Sequence, residues 1–200
     1  MSGRTLHTTS RAANADERRE AILAAALELF SERGFHGTAV PLVAEKAGVG
    51  AGTLYRYFES KEALVNALYQ RWKGEFAAHV MTNFPVEAPT RQQFATIWQR
   101  MTRFGHQNPR VLQFLELHHH GDYLDEQSRA VERSVLDPVV AFIQDAQHKQ
   151  AIKPAPVEVI IALVHGAFVG LLRAVQEKRL VLTDEVLKIA EECVWEAVRR

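Results

Sequence analysis

The sequence predicts an all-α fold of about nine helices, arranged as a small N-terminal three-helix unit followed by a larger helical domain. Three observations carry that expectation. Apolar residues recur at steps of three and four through most of the chain, the period of a helix with one buried stripe. Capping residues and breakers alternate at helix-length intervals: Asn14, Thr38, Ser60, Thr90 and Thr183 precede periodic runs, and Gly34, Gly48, Pro85, Pro109, Gly121 and Pro154 interrupt them. The 200 residues are 47% hydrophobic and 24% charged, which is ordinary for a globular protein and ample for a buried core.

Residues 1–13 are polar and aperiodic, and are expected to form a flexible N-terminal arm carrying Arg4, His7 and Arg11. A capping box, Asn14 with Glu17, opens the first helix, which reaches Arg33 and buries Ile22, Ala25, Ala26, Leu29 and Phe30. The second helix runs from Ala39 to Ala47, with Thr38 as N-cap and Pro41 in the first turn, where a missing N–H breaks no helical bond. Gly48 then supplies the positive φ that a helix C-terminus favours, and Val49 plugs the turn. The third helix, Ala51 to Phe58, turns Leu54 and Phe58 inward and leaves Thr53, Arg56 and Tyr57 pointing away.

The fourth helix follows Ser60 and extends to about Asn83, with Leu64, Leu68, Trp72, Phe76 and Val80 at steps of four. Thr90 and Gln93 form a second capping box before a fifth helix that stops at Gly105 and Pro109. A short sixth helix spans Arg110 to about His120, and a seventh runs from about Glu126 to Lys149. The eighth, about Pro156 to Lys178, is apolar on nearly every side, which predicts burial against two partners at once. Ala162, Gly166 and Gly170 fall on one ridge of it, and mid-helix glycines cost about 1 kcal/mol each relative to alanine, so a packing role is expected. The ninth opens at Thr183 and carries Ile189 and Cys193. The eighth and ninth helices read as half of an intermolecular four-helix bundle, with burial inside one chain as the alternative.

A short helix presenting Thr, Arg and Tyr, propped across a glycine turn by a smaller helix, has the form of a helix-turn-helix that reads a major groove. An ordinary helical hairpin fits the same short pattern. The longer run Gly34-Phe35, Thr38, Val40, Val43-Ala44, Ala47-Gly48-Val49, Gly52-Thr53-Leu54-Tyr55, Tyr57-Phe58 and Ser60-Lys61 resembles the N-terminal domain of TetR-family (tetracycline-repressor-like) transcriptional regulators. About 45 residues carry the resemblance. Two positions depart from it: Gly50 replaces the usual serine cap of the recognition helix, and Pro41 replaces a polar residue that often faces DNA.

The resemblance implies a DNA-binding domain over residues 14–60 and a ligand-binding and dimerisation domain over 61–200. It implies a homodimer joined through helices 8 and 9, at Ala162, Gly166, Gly170, Ile189 and Cys193. The partner is a double-stranded, near-palindromic operator, and the expected function is a repressor released by an unidentified small-molecule effector. Thr53 and Arg56 are assigned to base edges, Arg56 bidentate to guanine. Tyr55, Tyr57, Lys61 and the amides of Ala51 and Gly52 are assigned to phosphates, with packing of its ring into the domain as the alternative for Tyr55, and Thr38 adds a hydroxyl contact. Arg4 and Arg11 of the arm either do nothing specific or reach phosphates and the minor groove. An effector pocket enclosed by the fourth to eighth helices is expected to be lined by Trp72, Trp98, Phe104, His118, Phe142, His165 and Phe168.

Other classes fit less well. The 24 Lys and Arg balance 24 Asp and Glu, so any nucleic-acid binding rests on a local surface. No nucleophile elbow, P-loop, HExxH or dinucleotide fingerprint is present, so no catalytic residue is assigned. A helical enzyme or carrier, or an adaptor bundle, remains the alternative. His118, His119 and His120 are consecutive and point about 100° apart on a helix, so no metal site is expected. Cys193 is the only cysteine, which fits a reducing cytoplasm. The apolar run Val157–Leu172 falls short of the ~20 residues of a membrane span, so no membrane association is expected.

Overall fold

The computed structural model describes residues 6–200, with side chains described from Asn14 onward. The described residues form nine α-helices: α1 (Leu6–Arg33), α2 (Val40–Lys46), α3 (Ala51–Tyr57), α4 (Lys61–Met81), α5 (Thr90–Gln107), α6 (Pro109–Leu117), α7 (Glu126–His148), α8 (Val157–Gln176) and α9 (Asp184–Val198). α1 begins eight residues before the position predicted by Asn14. Nothing between Leu6 and Ala13 breaks a helix, so the preceding turns continue through the expected cap. The contacts considered for Arg4 and Arg11 lie outside the described side chains.

α2 is capped by Ala39, not Thr38, and no side chain bonds its first turn. Gly48, at φ 68°, makes the turn into α3, and Gly50 caps α3 through its backbone alone. Ser60 accepts from the Ala63 N–H at 3.0 Å and starts α4. The expected Thr90–Gln93 box does not form. Gln93 is buried and donates to the carbonyls of Val86 and Ala88, bracing the α4–α5 connection.

α1 to α3 close over a core that includes Ile22, Ala26, Phe30, Val43, Leu54 and Leu64. α4 runs out of this unit and packs against α5 and α7 as well as α1, so one rigid helix is shared by both halves. α6 lies against α1. α9 closes on α5, where Arg91 and Glu191 form a two-pronged ion pair and the Trp98 indole N–H donates to Leu187 O.

α8 departs from the sequence expectation. Only Ile160 and Phe168 are buried, while Ala162, Leu163, Gly166 and Gly170 are open. Within one chain it is covered on one side only. The helix continues past Leu172 to Gln176, so at 20 residues it is, among the described residues, the one helix long and apolar enough to cross a membrane by length and composition.

Candidate nucleic-acid interface and cavity

The helical period of α3 decides what it presents. Leu54 is fully buried and Phe58 nearly so. Tyr57 stands three residues after Leu54, shares its inward face and packs half-buried on the core, which corrects its expected outward direction. Tyr55 instead projects, 49% exposed, beside the exposed Arg56 and half-exposed Thr53. None of these three side chains has a hydrogen bond or ion pair among the described residues. At Gly50 and Gly52 a Cβ would meet nothing within 4 Å, so the start of α3 is open to close approach.

Thr38 is not part of this face. It is 1% exposed, and its hydroxyl lies 2.8 Å from Gly34 O and 3.2 Å from Leu29 O, tying the connection back onto α1. A hydroxyl that can donate once is satisfied there, so the expected DNA contact is withdrawn. Lys61 sits at the edge of the face with Nζ 4.2 Å from the Phe35 ring centroid. Partial burial lowers its pKa, against the opposing pull of Glu62.

A cavity of about 460 Å³ lies between α4, α5, α6, α7 and α8. Of the seven expected lining residues, His118, Phe142 and His165 border it. The others face elsewhere because the cavity side of each helix is set by different positions. On α4 the cavity takes Tyr69, Lys73 and Phe76, spaced i, i+4, i+7, which turns Trp72 toward a groove beside α1. On α5 it takes Phe94, Ile97 and Met101, so Trp98 turns to α9. Phe104 packs edge-on to Phe76 and against His79, and Phe168 is 1% exposed outside the lining.

A charged cluster stands in this cavity, and of its members only His165 was expected there from the sequence. Glu116 accepts from Lys73 Nζ at 3.3 Å and from His165 Nε2 at 2.8 Å, with its side chain 6% exposed. Burial pushes a carboxyl up, but the His165 hydrogen bond and the Lys73 charge outweigh it and hold Glu116 at about 2. Tyr69 stands next to it with its hydroxyl 3.5 Å from Glu132 Oε1, and burial raises the phenol's pKa strongly. The available signal was one lysine on the apolar face of the fourth helix.

The α6–α7 connection closes the end of the cavity nearest α1. His118 donates from Nε2 to Ser31 O at 2.7 Å, reaching α1 directly. His120 donates to Phe114 O at 2.6 Å, its other ring nitrogen lies 2.7 Å from the Tyr123 hydroxyl, and burial lowers its pKa, which favours the neutral ring and a hydrogen bond donated by Tyr123. His119 is exposed, 3.9 Å from Asp122. The three imidazoles therefore take three separate roles. Beneath them, Asn66 of α4 donates to Glu62 O and Tyr123 O and accepts from the Asp125 N–H and the Ser128 hydroxyl.

The sequence pattern described as "Bacterial regulatory proteins, tetR family" matches residues 22–68, and "Tetracyclin repressor-like, C-terminal domain" matches residues 69–200. The "Fatty acid metabolism regulator protein" of Bacillus subtilis is 32% identical over 76 residues, 38% of this chain and 39% of that protein. The "HTH-type transcriptional regulator RutR" of Escherichia coli K12 is 47% identical over 68 residues, 34% of this chain and 31% of that protein. The chain thus spans under two fifths of the length of these curated relatives. The crystal structure of a TetR family transcription regulator from Marinobacter aquaeolei VT8 shares the fold, with a TM-score of 0.83 at 23% identity over 94% of this chain and 98% of that one.

Proposed function

The chain belongs to the tetR family of bacterial regulatory proteins, and from that premise we propose a homodimeric transcriptional repressor released from a near-palindromic operator by a small-molecule effector. Proteins of this family are DNA-binding transcriptional regulators, not enzymes. Residues 14–60 are the DNA-binding head, residues 61–200 the effector and dimerisation part, and α4 is the lever common to both. As a DNA-binding regulator the protein works in the cytoplasm.

In this reading Thr53 and Arg56 face base edges, Arg56 toward a guanine, while Tyr55, Lys61 and the amides of Ala51 and Gly52 take phosphates. Tyr57 seats the helix. The open ridge of Ala162, Gly166 and Gly170 on α8, with Ile189 and Cys193 on α9, receives the same surface of a second copy, not a bilayer. Dimerisation sets the two heads one groove repeat apart, ~34–36 Å, and effector binding biases an arrangement in which that spacing is lost.

The observation that carries the effector reading is the α6–α7 connection, which borders the cavity on one side and holds α1 through His118 on the other. Selection of genomic fragments on the 200-residue chain, followed by footprinting, tests the proposal. A protected near-palindrome occupied by two protomers is expected. An absence of enrichment, or occupation by single protomers, would overturn it.

A further inference from the structure

The cavity wall is chemically divided. Tyr69, Lys73, Glu116, Glu132 and His165 are linked to one another by hydrogen bonds, ion pairs or a cation–ring contact, and Arg129 bonds Gly121 O in the α6–α7 connection, while Phe94, Ile97, Met101, Val139, Phe142 and Ile160 supply apolar wall. We propose that the cavity binds an amphiphilic anion, with its anionic head against the Lys73 ammonium and its apolar body directed toward α5 and the second half of α7. The proposal rests on the cavity being the effector site.

The hydrogen-bond inventory selects the sign of the head. Glu116 is nearly inaccessible, and each of its oxygens already accepts one bond, from Lys73 and from His165. A ligand cation there has to displace one of the two hydrogen-bond partners, Lys73 or His165, that hold this buried carboxylate. Lys73 has three N–H donors and uses one on Glu116, so an incoming anion adds a partner without removing one. His165 is half-exposed at the same end and is bonded to Glu116 through Nε2. Among the described residues Glu132 has only a weak partner at this end, the Tyr69 hydroxyl at 3.5 Å, and is the place where a cationic head would go instead. The apolar half has no charged residue among those just named, so a long polar molecule leaves its own groups unpaired there. A single-headed amphiphile leaves none. A volume of about 460 Å³ suits a drug-sized molecule of this kind.

Three probes with one tail and different heads test the assignment: decanoate, decanol and decyltrimethylammonium, titrated calorimetrically into the intact protein. Decanoate is expected to bind about tenfold or more tightly than either of the others, the worth of one charge-assisted hydrogen bond. Lys73→Met is expected to remove that preference. Glu116→Gln, a neutral isostere that keeps the fold if Lys73→Met does not, is expected to retain or strengthen decanoate binding by releasing Lys73. Val139→Trp fills the apolar half and is expected to abolish binding of all three. Equal or tighter binding of the cation or the alcohol, loss of decanoate binding in Glu116→Gln, or no saturable binding of decanoate overturns the anionic-head proposal. Failure of the cavity reading looks different: decanoate binding then survives Val139→Trp unchanged.

Discussion

Phe35 and Tyr123 stack with ring centroids 4.2 Å apart and planes 24° from parallel, joining the end of the first helix to the α6–α7 connection. On its outer side the Phe35 ring carries the Lys61 ammonium, and Tyr123 on its inner side donates to His120 at the cavity wall. A continuous set of contacts therefore leads from the cavity to the start of α4, next to the end of α3. Tyr123→Leu keeps apolar volume but removes the stack and the hydroxyl. It is expected to cost about 1–3 kcal/mol in thermal or denaturant unfolding. In the regulator proposed above, it also lowers several-fold the ratio of operator affinities without and with effector; an unchanged ratio would remove this contact from the coupling route.

Asn66 uses all four of its side-chain hydrogen-bonding capacities, two as donor and two as acceptor, while 3% exposed. Asn66→Leu leaves the Asp125 N–H, the Ser128 hydroxyl and the Tyr123 carbonyl without that partner. Urea unfolding is expected to show a loss of about 2–4 kcal/mol, a sum of unsatisfied buried groups. A loss below 0.5 kcal/mol would show that these groups find other partners.

His120 gives the protein a pH dependence of definite sign. Burial lowers its pKa below 6.5, with the charges of His118 and Lys73 adding, while the Phe114 carbonyl and Glu116 oppose. The unfolded chain therefore binds this proton first, so the contribution of neutral His120 is full above pH 6.5 and is lost as pH falls below it. Glu116 acts in a lower window, its contribution present above its ordinary 4.5 and lost as pH falls toward about 2. Melting temperatures measured from pH 7.5 to 5.5 are expected to fall less steeply in His120→Gln than in the native chain. Parallel slopes would contradict the assignment.

Leu163 is 49% exposed and Ile189 52% exposed on the faces of α8 and α9 proposed to meet a second copy. Leu163→Glu is expected to leave the unfolding of the single chain within about 0.5 kcal/mol. It should weaken dimerisation by about 2–4 kcal/mol, since the dimer then buries an unpaired charge. Sedimentation equilibrium reads this as a shift to monomer. A variant that stays dimeric would place the interface elsewhere.

The sequence was informative where one residue type suffices for a physical task. Gly48 at positive φ, Ser60 and Thr183 as caps, and the breakers around residues 85–89 and 153–156 mark the helices because few other residues do those jobs. Direction was less legible. Tyr55 and Tyr57 are chemically alike, and only the phase of α3 decides which one projects. Thr38 looked like a cap because threonine caps well, yet its hydroxyl is spent on the carbonyls of Leu29 in α1 and of Gly34 just after it. The Lys73–Glu116–His165 cluster was invisible because its members are brought together from three helices by packing. The half-buried Val135, Val139 and Phe142 looked like core for the opposite reason, since a stripe facing a cavity has the same period as one facing another helix.

The most direct test of the central claim is the specificity ratio of α3, measured by fluorescence anisotropy as the affinity for the selected operator over that for a scrambled duplex at one salt concentration. Specific regulators bind their sites at least ~10³-fold more tightly than other DNA. The native chain is predicted to reach that range, and Arg56→Ala to lose about 1–3 kcal/mol on the operator while binding the scrambled duplex nearly as before. A ratio near one in the native chain, or a ratio unchanged by Arg56→Ala and Thr53→Ala together, would contradict the assignment of α3 as the helix that reads DNA.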